Sequence, residues 1–190
     1  SGLVLLVFIV VQAVAAIDAS GPNARIKELM PVVRAQIIEQ PLAPELAEYG
    51  LENGRGQRVR LADFPRDHLL FVNFWATWCK PCVDELPSMV RLARKLAGRK
   101  FAMIAVSYDE DWADLRAFFN RVFGGVPRGV YLLRDPATRE AAMLRTRFGT
   151  YKLPETYLIR EGRILSRFVN HRDWVVPAMV EFFERLLETR

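Results

Sequence analysis

The chain contains two cysteines, and they stand as Cys79-Lys80-Pro81-Cys82. A dithiol at this spacing can be oxidised and reduced. One thiolate attacks a disulfide, and its neighbour displaces what has been captured. The attacking species is the anion, so the chemistry needs a place where a thiolate is stabilised. Two cysteines fall short of the four ligands of a structural zinc site. His68 and His171 lie at no useful ligand spacing from them. No metal or cofactor is therefore expected. A static disulfide is the bland reading, but a ring this small gains little from loop closure.

The elements around the pair supply the missing stabilisation. Residues 69–74, Leu-Leu-Phe-Val-Asn-Phe, form a continuous apolar run that suits a strand buried on both faces. After the cysteines, Cys82, Leu86, Met89, Val90, Ala93, Leu96 and Ala97 recur at helical spacing. Pro87 is expected to kink this helix and Gly98 to stop it. Cys79 then sits where the first backbone N–H groups of a helix are unpaired and the dipole is positive. Lys80 adds charge nearby, and Pro81 suits a first turn because it has no N–H to lose. Cys82 lies one turn further in.

Downstream, residues 101–106 read as a second buried strand. Asp109 to Asp111 then cap a helix carrying Trp112, Leu115, Phe118 and Phe119. Residues 130–133 read as a third strand. Asp135-Pro136 signals a helix through Ala141, Leu144 and Phe148, ended by Gly149. Glu161-Gly162 joins a hairpin of residues 156–159 and 164–169. A last helix is predicted from about 173 to 187, with Trp174, Val175, Met179, Phe182, Phe183 and Leu186 inward. Upstream, Asn53-Gly54-Arg55-Gly56 is a hairpin turn. The alternation predicts an α/β domain whose mixed central sheet has helices on both faces.

The chain's 190 residues, 51% of them hydrophobic, suffice for one domain of sizeable core plus an extra segment. Net charge is +5, but the basic residues are scattered, with no block and no aromatic-interleaved stripe. Nucleic acid is not expected as a partner. Residues 3–17 carry no charge and one polar side chain, Gln12. That is short of the ~20 residues of a full span, and fits a signal-peptide core or a membrane-anchor helix. A buried core helix of the same length is the other reading. The expected division is 1–19 as the signal or anchor, 20–41 as a connecting helical segment, and 42–190 as the domain. In the connecting segment Ile26, Leu29, Met30, Val33 and Ile37 keep helical spacing around Pro31.

The stretch Phe74-Trp75-Ala76-Thr77-Trp78-Cys79-Lys80-Pro81-Cys82 resembles the active site of the thioredoxin superfamily. Cys82-Val83-Asp84-Glu85-Leu86-Pro87 and Leu153-Pro154-Glu155-Thr156-Tyr157-Leu158-Ile159 are similar to its TlpA/ResA-type extracytoplasmic thiol–disulfide oxidoreductases. The resemblance spans about residues 42 to 188. It implies a thioredoxin-like fold, Cys79 as nucleophile and Cys82 as resolving thiol. It also implies that Pro154 is cis and faces the cysteines, leaving the backbone at Leu153 free to pair with substrate. Trp78, Lys80 and Pro81 would share that docking surface. Glu85 matches an acidic residue of the subgroup. Desolvated, it could accept a proton from Cys82; solvated, it would be an ordinary surface glutamate. Asn73 departs from the pattern, because thioredoxin itself carries a buried aspartate there. The implied partners are protein thiols and disulfides, a membrane or extracytoplasmic thiol donor, and the membrane through the N-terminal segment. The implied setting is the periplasm or cell envelope, and the implied service is reduction of exported protein disulfides, as in cytochrome c maturation. A binding module without turnover and a thiol peroxidase are the competing readings on the same fold.

Overall fold

The computed structural model describes residues 22–189. The expected N-terminal hydrophobic segment, residues 1–19, lies outside them. Among the described residues, no helix is long and apolar enough to cross a membrane. The chain divides into two compact units, residues 36–175 and a smaller one of residues 22–35 with 176–189.

In the smaller unit, helix α1 (Pro22–Val33) packs on helix α6 (Pro177–Glu188). Leu29 and Val33 are buried on α1, and Met179, Phe182, Phe183 and Leu186 on α6. Arg25 bridges to Glu181 at 2.7 Å across the pair. The segment predicted as helical through residue 41 is helical only to Val33. Arg34 turns left-handed, with φ 53°, and ends the helix. Residues Gln36–Pro41 form strand β1 instead. Its two adjacent isoleucines are β-branched and suit a strand better than a helix. Pro31 is accommodated inside α1.

The larger unit is built on an eight-stranded sheet in the order β1-β8-β7-β4-β5-β6-β2-β3. Strand β4 (Leu69–Trp75), buried at every residue, lies near its middle. It runs parallel to β5 (Phe101–Ser107), which runs parallel to β6 (Val130–Arg134). On its other side β4 pairs antiparallel with β7 (Glu155–Arg160), which turns through Glu161 and Gly162 into β8 (Arg163–Val169). Both turn residues have positive φ, the backbone that a tight two-residue hairpin demands. The hairpin β2 (Leu51–Asn53) and β3 (Arg58–Val59) extends the sheet beyond β6, and β1 extends it beyond β8. A short helix α2 (Pro44–Ala47) follows β1.

Strands β4, β5 and β6 step in one direction across the sheet. Right-handed crossovers therefore place both connecting helices, α3 (Lys80–Lys95) and α4 (Trp112–Phe123), on one face. Side chains of β4 agree. Asn73 reaches Glu85 on α3, and Trp75 packs on Phe118 and Phe119 of α4. The opposite face of β4 presents Phe74, which meets the rings of Tyr108, Phe148 and Tyr157. There the helix predicted after Asp135-Pro136 is only α5 (Leu144–Arg147), preceded by a single 3-10 turn. Asp135 does not cap a helix as expected: Met143 holds the cap position of α5 without a side-chain bond, and the Asp135 carboxylate accepts from the N–H groups of Ala137 and Leu144. The mixed sheet thus carries helices on both faces, the long pair on one and a short one on the other.

Candidate active site

The site grows from the end of β4. After Trp75 the chain leaves the sheet, and Thr77 is tied down by Asp109 at the end of β5. The Asp109 carboxylate accepts from the Thr77 backbone N–H at 3.0 Å and from its hydroxyl. Ser107 donates to the same carboxylate at 2.6 Å. With the loop anchored, Cys79 takes the cap position of α3 in an extended conformation, and its carbonyl accepts from Val83 N–H at 3.1 Å.

Cys79 and Cys82 are joined in a disulfide, their Cα atoms 5.3 Å apart. Their access differs. Cys79 is 7% exposed and Cys82 1%. The outer cysteine is the more accessible of the two residues. Pro81 sits in the first turn of α3, as its ring favours. The Lys80 ammonium, however, pairs with Asp84 at 2.8 Å on the solvent side, so its charge is shared away from the sulfurs.

Leu153-Pro154 is a cis peptide, as the resemblance implied. Glu155 pairs with Phe74 in the β4–β7 ladder, which sets Pro154 against the Trp75 end of β4. Pro154 and Cys79 therefore stand at the same end of the sheet. Two large apolar side chains flank that end in solvent, Trp78 and Tyr151. Trp78 borders a cavity of about 550 Å³ shared with Tyr108, Asp135 and Arg145. Trp75, by contrast, is core.

Glu85 lies one turn beyond Cys82 on α3, and it is 2% exposed. Of the two readings open to it, the buried one holds. Oε1 accepts from Asn73 Nδ2 at 3.0 Å. Oε2 accepts from Trp174 Nε1 at 3.1 Å and Arg172 N–H at 3.2 Å. Burial pushes the carboxyl up to about 7, against these three donors and the Arg172 charge, which pull it down. Asn73 also donates to Thr156 Oγ1 at 2.9 Å.

Stability must follow that shift. A carboxyl whose proton affinity is higher folded than unfolded binds more protons in the native state. Stability is then greatest below about pH 4.5 for this group, falls as pH rises, and levels off above about 7. The difference is about 3 kcal/mol. Chemical denaturation of the oxidised protein between pH 4 and 8 measures it, and Glu85→Gln is expected to remove this component.

Sequence reasoning missed Trp174. The final helix was expected to begin near residue 173 and carry Trp174 on its inward face. Instead α6 begins at Pro177, and Val176 before it is extended. Trp174 therefore lies in the preceding loop, fully buried, its indole against Phe71 and Phe168. Pro177 itself was the available signal, since proline favours the first helical position and pushes its predecessor out of helical geometry.

A protein-family model described as the AhpC/TSA family matches residues 42–167. A thiol–disulfide oxidoreductase ResA from Bacillus thuringiensis is 29% identical over 132 residues, covering 68% of this chain and 69% of that protein. The ResA of Bacillus subtilis is 30% identical over 117 residues, covering 61% and 60% respectively. Among solved structures, one from Chlorobium tepidum assigned as a thiol:disulfide interchange protein DsbE superposes with a TM-score of 0.61 at 25% identity. It covers 80% of this chain and 98% of its own.

Proposed function

The chain belongs to the AhpC/TSA family of thioredoxin-like proteins and is a thiol–disulfide oxidoreductase, and from that premise we propose that it reduces disulfides of exported proteins, with Cys79 as nucleophile and Cys82 as resolving thiol. The observation that carries the assignment of roles is the unequal exposure of the two cysteines at the start of α3.

The reduced enzyme begins the cycle. The Cys79 thiolate attacks one sulfur of the substrate disulfide; that S–S bond breaks, and the other substrate sulfur leaves as a thiolate. Cys82 then gives its proton to the Glu85 carboxylate. The resulting Cys82 thiolate attacks Cys79, forming the intramolecular disulfide and releasing the second substrate thiolate. The substrate gains two electrons and the enzyme loses them, so a thiol donor must restore the dithiol. Leu153, preceding cis-Pro154, offers backbone to an extended substrate strand, and Trp78 offers apolar contact beside the sulfurs, with Lys80 and Pro81 completing the rim.

The uncharged run of residues 3–17 supports placement of the domain in the periplasm or cell envelope, exported or held at a membrane. A donor dithiol at the membrane follows from that placement, and apocytochrome c cysteines are one client class that would need such a reductase.

The direction of flow is tested by the potential of the Cys79/Cys82 couple. Equilibration against a glutathione or dithiothreitol buffer is expected to give a value toward thioredoxin's, about −270 mV, whereas one near −120 mV marks an oxidant and overturns the reductase assignment.

A further inference from the structure

The loop between β8 and α6 is fastened to α3 at one turn by three hydrogen bonds of 3.1–3.2 Å, and a further one inside the helix steadies the Ser88 hydroxyl. Arg172 N–H and Trp174 Nε1 both donate to Glu85 Oε2. Trp174 N–H donates to Ser88 Oγ at 3.1 Å, and that hydroxyl donates to the Glu85 carbonyl at 2.7 Å. The turn of helix that carries Glu85 is therefore held from outside by a segment about 90 residues later.

The two carboxylate oxygens are held unequally. Oε2 has two N–H donors. Oε1 has one, from Asn73. The other end of that amide, Asn73 Oδ1, is buried with no donor among the described residues. A proton arriving on Oε2 would face two donors it cannot pair with. A proton on Oε1 creates an O–H, and the unpaired Asn73 oxygen is the acceptor that a rotation of the amide brings to it.

We propose that Trp174 is a positioning residue for proton transfer: with the Arg172 N–H it fixes Glu85 by Oε2 and leaves Oε1 as the oxygen that takes the Cys82 proton. This rests on the assignment of Glu85 as proton acceptor made above. In the step itself the Cys82 S–H bond breaks, an Oε1–H bond forms, and the sulfur keeps the electron pair it then delivers to Cys79.

The Arg172 guanidinium lies over the rings of Phe168 and Trp174, 4.8 and 5.4 Å from their centroids. Asp84, Arg91, His171 and Asp173 line a cavity that Ser88 and Arg172 also border. From the β4 and β7 side the facing groups, Asn73 and Thr156, are uncharged.

The test compares the full-length protein with Trp174→Phe and Glu85→Gln. A mixed disulfide is formed on Cys79 with a small aromatic thiol, and the rate of its resolution is followed against pH. The wild type is expected to show an inflection that Glu85→Gln lacks. Phenylalanine keeps an aromatic ring against Phe71 and Phe168 and removes one donor to the carboxylate. The Trp174→Phe inflection is therefore expected about one pH unit higher, with resolution about fivefold slower at pH 7. A second readout needs no substitution at 174. The indole ¹⁵N–¹H resonance of Trp174 in the wild type is expected to titrate with the same midpoint, and to stop doing so in Glu85→Gln. An unmoved inflection in folded Trp174→Phe, or a pH-silent indole across the Glu85 transition, overturns the role of Trp174 and leaves that of Glu85 standing. A wild-type profile with no inflection to lose overturns both.

Discussion

Cys79→Ser is expected to abolish reduction of disulfide substrates, while Cys82→Ser captures its substrate and stalls as a mixed disulfide through Cys79. The asymmetry follows from placement. Cys79 caps α3, and it is the cysteine with surface to offer. A serine there cannot form the anion that attacks sulfur at neutral pH. Cys82 is sealed beneath it, so its loss spares the first attack and removes only the intramolecular displacement. The check is turnover with an insulin-type disulfide substrate together with non-reducing electrophoresis of the trapped species. Retained turnover in Cys79→Ser, or adducts on Cys82 in place of Cys79, would reverse the assignment of roles.

The second large effect belongs to Glu85. Glu85→Gln is expected to slow resolution of the mixed disulfide by about 10²-fold near neutral pH, in the range that loss of a proton acceptor produces. The first attack by Cys79 is expected to keep its rate, because Glu85 is buried beyond the resolving thiol and offers the substrate no surface. The substitution is gentle on the fold. The glutamine oxygen can accept from Trp174 and Arg172, and once the Asn73 amide turns over, the glutamine NH2 can donate to the Asn73 oxygen that otherwise lacks a donor. Rapid-mixing kinetics separate the two steps. Equal slowing of both would indicate damage to the site as a whole.

Much of the site was legible because it is local. The spacing of Cys79 and Cys82, the apolar run before them and the helical periodicity after them lie within 30 residues, and each is written in hydrophobic pattern and capping chemistry. The Glu161-Gly162 hairpin and the Asp111 cap of α4 are equally local. The family motif added Pro154, more than 70 residues from the cysteines, which the β4–β7 register brings to the same sheet end.

What the sequence could not supply is pairing at a distance. The apolar face of α1 needed a partner, and nothing in residues 22–33 names α6, some 150 residues away. Strand β1 exists because β8 offers it an edge; alone, its residues kept enough helical spacing to be read as more helix. The fate of Glu85 turned on the same limit. Its helical position was readable, but burial is a property of what covers a side chain. The cover comes from Asn73 on β4 and from Trp174 and Arg172 in a loop before the last helix. The sequence by itself determined where a redox-active pair stands, because the two cysteines and the helix start are neighbours along the chain. Only the tertiary structure decided the proton affinity of Glu85, because a carboxylate responds to the water and donors that distant segments remove or supply.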